Sequence, residues 1–145
     1  MALTDLASQE LEFGMGHVVS LSDIAARQKI SISFLEQLFA KLRRAGLVES
    51  IRGARGGYKL AVNAERLTLD KIILAIEEPI KAHGCTPETK LSCTGKSGQC
   101  LTHNLWGALE SHIENFFAFV TIDDVVKGRL PSGQIDSEAS LELAQ

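Results

Sequence analysis

The sequence predicts a mainly α-helical fold with a small β-hairpin wing: a winged helix-turn-helix followed by a long C-terminal dimerisation helix. Three observations predict it. Two short amphipathic segments between Leu21 and Gly46 are joined by a tight break, and two strand-like runs follow directly, flanking the turn Arg52-Gly53-Ala54-Arg55-Gly56-Gly57. A heavy apolar stripe then runs from Leu105 to Val120. The 145 residues, 45% hydrophobic and 23% charged, suit an ordinary globular domain and exclude a disordered or fibrous chain.

Leu3, Leu6, Ala7 and Glu10 fall at helical spacing, which reads as a short helix or the end of a longer one. After the Gly14-Met15-Gly16 turn, Ser20-Leu21-Ser22-Asp23 is a capping-box pattern that opens a helix over about Leu21 to Gln28. Beyond a break from Lys29 to Ile32, Leu35, Leu38, Phe39 and Leu42 form one stripe at i, i+3, i+4 and i+7, and Gly46 ends that second helix. Leu47 to Ile51 and Tyr58 to Val62 have strand composition, so the glycines and arginines between them form the tip of a hairpin. Thr68 is expected to cap a helix through Leu69, Ile72, Ile73 and Ile76 that stops at Pro79. Ile80 to Leu101 lacks apolar periodicity and reads as an irregular loop. Leu105, Trp106, Leu109, Ile113, Phe116, Phe117 and Val120 mark the long helix, followed by a short helix near Ile122 to Val126 and a polar tail from about Pro131.

No stretch approaches the roughly 20 apolar residues of a membrane span. Met1 to Glu12 carries acids where a signal peptide carries basic residues, so a cytoplasmic location without a membrane partner is expected.

The net charge is only −3, and a nucleic-acid role has to come from how charge is distributed. Lys41, Arg43, Arg44, Arg52, Arg55 and Lys59 crowd one stretch that holds the single acid Glu49. A helix pair followed by an arginine-tipped wing offers three kinds of contact with double-stranded DNA: the second helix in the major groove, Arg52 and Arg55 on phosphates or in the minor groove, and Lys41 and Arg44 on the backbone. Ser31, Ser33, Glu36 and Gln37 lie at the N-terminal end of that helix, where Glu can accept from cytosine N4 and Gln can pair with adenine. The plainer alternative is that Ser33 to Glu36 is a capping box closing its own helix start.

Three cysteines cannot all pair within one chain, and a reducing compartment keeps ordinary thiols free. Cys85, Cys93, Cys100 and His103 place three thiolates and an imidazole within nineteen residues, a set that suits an iron-sulfur cluster or a zinc ion. Wide gaps in place of C-x2-C knuckles favour the larger cluster modestly over zinc; His83 is the rival fourth ligand, and thiols that bind nothing are the plainest reading. A thiol-based redox enzyme using Cys93 or Cys100 has Lys90 and Lys96 nearby but no clear Cys/His/acid set. Gly95-Lys96-Ser97 imitates a phosphate-binding loop, but Lys90 stands where its first glycine is required. His17 and His112 have no ligand neighbours at suitable spacing. The aromatic stripe is wide enough to cover a core and a second copy of the chain, so a two-fold homodimer is expected.

The segments Ile30 to Phe39, Gly46-Leu47-Val48, Arg52-Gly53 with Gly56-Gly57-Tyr58, and Cys100-Leu101-Thr102-His103 with Leu105-Trp106 resemble the IscR-type iron-sulfur cluster regulators. That bacterial winged-helix family also includes the nitric-oxide sensor NsrR, and the resemblance runs from Met1 to about Val126. It implies a 2Fe-2S cluster on Cys85, Cys93, Cys100 and His103 whose occupancy controls promoter choice, including promoters of cluster-assembly genes. Cluster-assembly scaffold proteins become expected partners, and no enzymatic activity is expected. A zinc-stabilised repressor or a nitric-oxide or redox sensor is the alternative. The resemblance makes Ser31, Ser33, Glu36 and Gln37 base readers and Arg52 the wing contact, with Glu36 rejecting sites that lack its cytosine.

The family begins with a basic helix under the helix-turn-helix, and Met1 falls inside the corresponding region, so the first helix is expected to be truncated. The cysteine loop is also longer than the family's. Residues 1–79 are thus expected to form the DNA-binding domain, 80–103 the cluster-binding loop, 103–127 the dimerisation helix and final short helix, and 128–145 a flexible polar tail.

Overall fold

The computed structural model describes residues 1–77 and 102–131. The expected helix end at Pro79, the loop from Ile80 to Leu101 with its three cysteines and His83, and the tail beyond Pro131 lie outside them. The described chain folds as α1 (Ala2–Phe13), α2 (Leu21–Gln28), α3 (Ile32–Arg44), β1 (Val48–Ile51), β2 (Gly57–Leu60), a 3-10 turn (Ala64–Arg66), α4 (Leu69–Ile76), α5 (His103–Phe119) and α6 (Ile122–Lys127). The mainly helical class with one hairpin is as expected; the 3-10 turn, held by Asn63 accepting the Glu65 N–H at 2.8 Å, carries no apolar period that could have announced it.

α1 is longer than the Leu3 to Leu11 segment, and it carries Asp5, Glu10 and Glu12 without a basic residue. Leu3, Leu6 and Ala7 bury against the rest of the core, and α1 packs on α6, α2 and β2. Asp5 shares that buried face. It stays charged there because Arg27 of α2 grips it with two nitrogens, Nη2 at 2.6 Å from Oδ1 and Nε at 3.0 Å from Oδ2, while Gln28 Nε2 donates at 2.8 Å. This pair ties the first helix to the helix-turn-helix.

α2 begins where Ser20 accepts the Asp23 N–H at 3.1 Å, but the expected reciprocal half of the box takes another form: the Ser20 hydroxyl donates to Asp23 Oδ2 at 2.7 Å. Lys29 ends α2 at φ 55°, and α3 starts three residues later. Leu35, Phe39 and Leu42 are buried as the stripe requires, with Leu38 beside them. At the other end Gly46, at φ 72°, donates to Arg43 O, and Leu47 donates to Leu42 O, each at 3.0 Å, which turns the chain into the hairpin.

β1 and β2 pair antiparallel in the register Val48 with Leu60, Glu49 with Lys59, Ser50 with Tyr58 and Ile51 with Gly57. A third segment, unmarked in the sequence, joins them: Val19 exchanges two hydrogen bonds of 2.8 Å with Tyr58. Gly57 makes this possible, because a Cβ there would lie 2.3 Å from Val19 O and 2.9 Å from Ser20 N. Tyr58 also meets Phe39 edge-on, with ring centroids 4.9 Å apart. Turn, wing and α3 are thus packed as one unit.

α4 is introduced by Thr68, which caps by position only: its hydroxyl bonds the Asp70 carboxylate, which accepts the Lys71 N–H at 2.7 Å. Leu69 N–H donates to Val120 O at 3.0 Å and Ile122 N–H to Leu67 O at 2.9 Å, stitching the start of α4 to the turn between α5 and α6. Thr121 and Asp124 close a complete capping box at α6. α5 buries no residue of its own; Leu105, Trp106, Leu109, Phe116 and Phe119 are all exposed. No helix among the described residues is long and apolar enough to cross a membrane.

Replacing Gly57 with Ala is expected to lower unfolding stability by about 1–3 kcal/mol, since only backbone atoms stand in the way and they cannot rotate aside. A urea midpoint equal to that of the wild type would show that the Val19 strand yields freely. The second prediction concerns pH. Burial alone raises the Asp5 carboxyl, but the Arg27 and Gln28 hydrogen bonds and the Arg27 charge outweigh it and hold the group below the ordinary range. Its contribution is therefore present above the unfolded value of about 3.9 and is lost as pH falls through the lower folded value. Urea unfolding between about pH 5 and pH 3 should show a flatter pH dependence in Asp5→Asn than in wild type; equal slopes would assign the acid sensitivity to other carboxylates.

Candidate nucleic-acid interface

The N-terminal end of α3 is set by Ser31, whose extended backbone and hydroxyl, accepting the Phe34 N–H at 3.3 Å, begin the helix at Ile32. The cap is therefore Ser31 and not Ser33, and the plainer reading of Ser33 to Glu36 as a capping box does not hold. The consequence is functional. Ser33, Glu36 and Gln37 are left exposed on the first two turns, and Glu36 makes no hydrogen bond or ion pair with any described residue. Ser31 keeps its hydroxyl proton for an outside acceptor.

Two residues passed over in the sequence stand beside them. Ile32 is 46% and Phe34 55% exposed, giving this helix end apolar surface of the kind that meets thymine methyl groups. The available signal for Phe34 was that it falls off the Leu35, Leu38, Phe39 and Leu42 stripe while being apolar; Ile32, three residues before Leu35, keeps the stripe's spacing and is exposed as the first residue of the helix.

The wing tip is built by its glycines. Gly53 takes φ 120° and accepts the Gly56 N–H at 2.9 Å, and a Cβ on Gly56 would fall 2.6 Å from Ile51 O. The tight loop presents Arg52 and Arg55 to solvent, and neither pairs with an acid among the described residues. Lys59 does, 3.1 Å from Glu49 across the hairpin, and Arg43 donates to Ser50 Oγ at 3.4 Å. Arg44 is exposed and unpaired near the C-terminal end of α3. Lys41 points elsewhere: its Nζ donates to Ile76 O at 2.9 Å and lies 3.4 Å from Glu77 Oε2, at the end of α4. Of the expected DNA contacts, Ser31, Ser33, Glu36 and Gln37 thus share one helix end, Arg52 and Arg55 share the wing tip, Arg44 stands at the opposite end of α3, and Lys41 is engaged within the fold.

His103 opens α5 and is half-buried. Cys85, Cys93 and Cys100 lie outside the described residues, so the expected ligand set is represented here by His103 alone, and no other group of three or more potential metal ligands occurs among the described residues.

A family model described as "Rrf2: Iron-dependent Transcriptional regulator" matches residues 1–128. The HTH-type transcriptional regulator IscR of Vibrio campbellii is 45% identical over 109 residues, 75% of this chain and 63% of that protein. This chain thus spans a little under two thirds of its Vibrio relative. The IscR of Cereibacter sphaeroides is 40% identical over 130 residues, 90% of this chain and 83% of that protein. Among solved structures, T. potens IscR superimposes with a TM-score of 0.64 at 33% identity, covering 93% of this chain and 88% of that one. CymR, the global cysteine regulator of B. subtilis, gives 0.67 at 30% identity, over 87% and 90%. These relatives carry names of transcriptional regulators and not of enzymes, and with the family model spanning the winged helix, α5 and α6, the chain belongs to the Rrf2 family of transcriptional regulators.

Proposed function

We propose that this chain is a DNA-binding regulator, acting as a two-fold dimer, whose affinity for its sites is set by a 2Fe-2S cluster held by Cys85, Cys93, Cys100 and His103. The observation that carries the DNA-binding half is the pairing of a polar helix end, Ser33, Glu36 and Gln37, with a wing whose two arginines pair with no acid among the described residues. In this reading α3 enters the major groove, with Ser31 and Ser33 donating, Gln37 reading adenine and Glu36 accepting from cytosine. Glu36 has no cation partner among the described residues, so a site without that cytosine leaves its carboxylate facing acceptors and phosphates, and such sites are rejected. Arg52 and Arg55 add phosphate or minor-groove contacts, and Arg44 the backbone.

The donor set fits the cluster by its chemistry: three thiolates are the ligands that iron-sulfur centres use, and one imidazole in place of a fourth makes the site easier to empty than an all-thiolate one. A bound cluster supplies a ligand whose loss reports iron limitation or oxidants. The chain's own part is to bind it and to pass on its presence, with assembly scaffolds as the source and genes of cluster assembly as the targets. The exposed apolar face of α5, from Leu105 and Trp106 to Phe119, supports a second copy as the partner that covers it.

Anaerobic purification should give coloured protein with iron and sulfide in equal amounts, and Cys93→Ala should lose the visible absorbance yet stay dimeric by sedimentation. Colourless wild-type protein carrying stoichiometric zinc would replace the sensor with a zinc-stabilised module. Arg52→Ala is expected to weaken binding to all duplexes alike and to reduce the slope of log affinity against log salt by about 0.9, the share of one phosphate. A loss confined to particular sequences, with the slope intact, would make Arg52 a base reader in the minor groove instead.

A further inference from the structure

Lys41, expected from the sequence at the DNA backbone, faces the other way. Its ammonium donates to the carbonyl of Ile76, the last residue of α4, and pairs at 3.4 Å with Glu77. Final helix carbonyls lack partners within their helix and carry the negative end of its dipole, so a cation here closes α4. Glu77 sits at φ 59° and ends α4 in the left-handed conformation that Lys29 takes at the end of α2. Arg44 and Lys71 line the same cleft, and Glu77 is the sole acid among its described lining residues, with Lys41 its ion-pair partner. Beyond Glu77 the chain runs on toward Cys85, while one turn before Lys41 on α3 stands Gln37.

We infer that Lys41 is a positioning residue and not a DNA contact: it fastens the end of α4 to α3, so that a shift of the chain beyond Glu77 changes the seating of the helix end that reads DNA. The inference rests on the cluster reading for the signal transmitted, but the fastening stands on the geometry of Lys41, Ile76 and Glu77.

The test uses the full chain, anaerobically loaded and after iron removal, with a duplex selected from a random pool by the loaded wild type. In Lys41→Met the affinities of the loaded and iron-free forms should converge to within about twofold, the expected result of removing a coupling contact. The salt slope should stay at the wild-type value, and Lys41→Arg should restore the wild-type ratio. In the iron-free protein, hydrogen exchange at the last-turn amides of α4 should quicken in Lys41→Met. A slope reduced by about 0.9 with the ratio kept would make Lys41 a phosphate contact and overturn the inference; so would unchanged exchange, or a ratio still at the wild-type value. Should Lys41→Met fail to fold, Glu77→Gln, whose side chain is 76% exposed, carries the same ratio and exchange measurements. Wild-type protein without iron, or indifferent to its removal, would sink the cluster reading alone, because slope and exchange still decide what Lys41 does.

Discussion

Phe39 governs the arrangement of the helix-turn-helix and its wing. It is fully buried, it belongs to α3, and its ring meets Tyr58 of β2 edge-on, so the helix that presents polar side chains and the hairpin that presents arginines share one packed contact. Tyr58 in turn holds Val19 through two backbone hydrogen bonds, which brings the segment before α2 into the same sheet. The outward residues of α3 and the wing keep a fixed separation because the inward ones are common to both. Such a unit offers a surface whose spacing is set before any ligand arrives, and preorganisation of this kind reduces the ordering cost of binding.

Charge is distributed with a similar economy. The chain has 18 acids and 15 lysines and arginines, yet acids are repeatedly taken up by specific partners: Asp5 by Arg27, Glu49 by Lys59, Glu77 by Lys41, and Asp123 by Lys127 and Arg129. Arg44, Arg52 and Arg55 stand apart from these pairs. A net negative protein therefore presents two wing-tip arginines without an acid partner among the described residues, and total charge says little about the field at that tip.

The parts of the fold legible in the sequence are those written in local chemistry. The 3.6-residue stripe of Leu35, Leu38, Phe39 and Leu42 and the glycines at 46 and 53 carry their own instructions, because burial and positive φ restrict which residues are tolerated. Contacts that depend on distant partners were not legible. Val19 joins β2 only because Gly57 is brought to it, and Lys41 looks like any other surface cation on α3 until α4 is packed alongside. The start of α3 shows a subtler limit: Ser31 and Ser33 both suit a cap, and the left-handed Lys29 and the extended backbone of Ser31 decide between them. The candidate DNA contacts were legible as a cluster, whereas whether each one points outward was a tertiary matter.

The stitching of α4 to the turn after α5 has a mechanical consequence. Hydrogen bonds from Leu69 to Val120 and from Ile122 to Leu67 pin one end of α5 beside the start of α4, and His103 stands at the other end. Seventeen residues of helix make an arm about 25 Å long. A displacement of about 2 Å at the His103 end corresponds to a swing of only about 5° at the pinned end. In this geometry a local rearrangement near the imidazole corresponds to only a small rotation where α5 meets the start of α4.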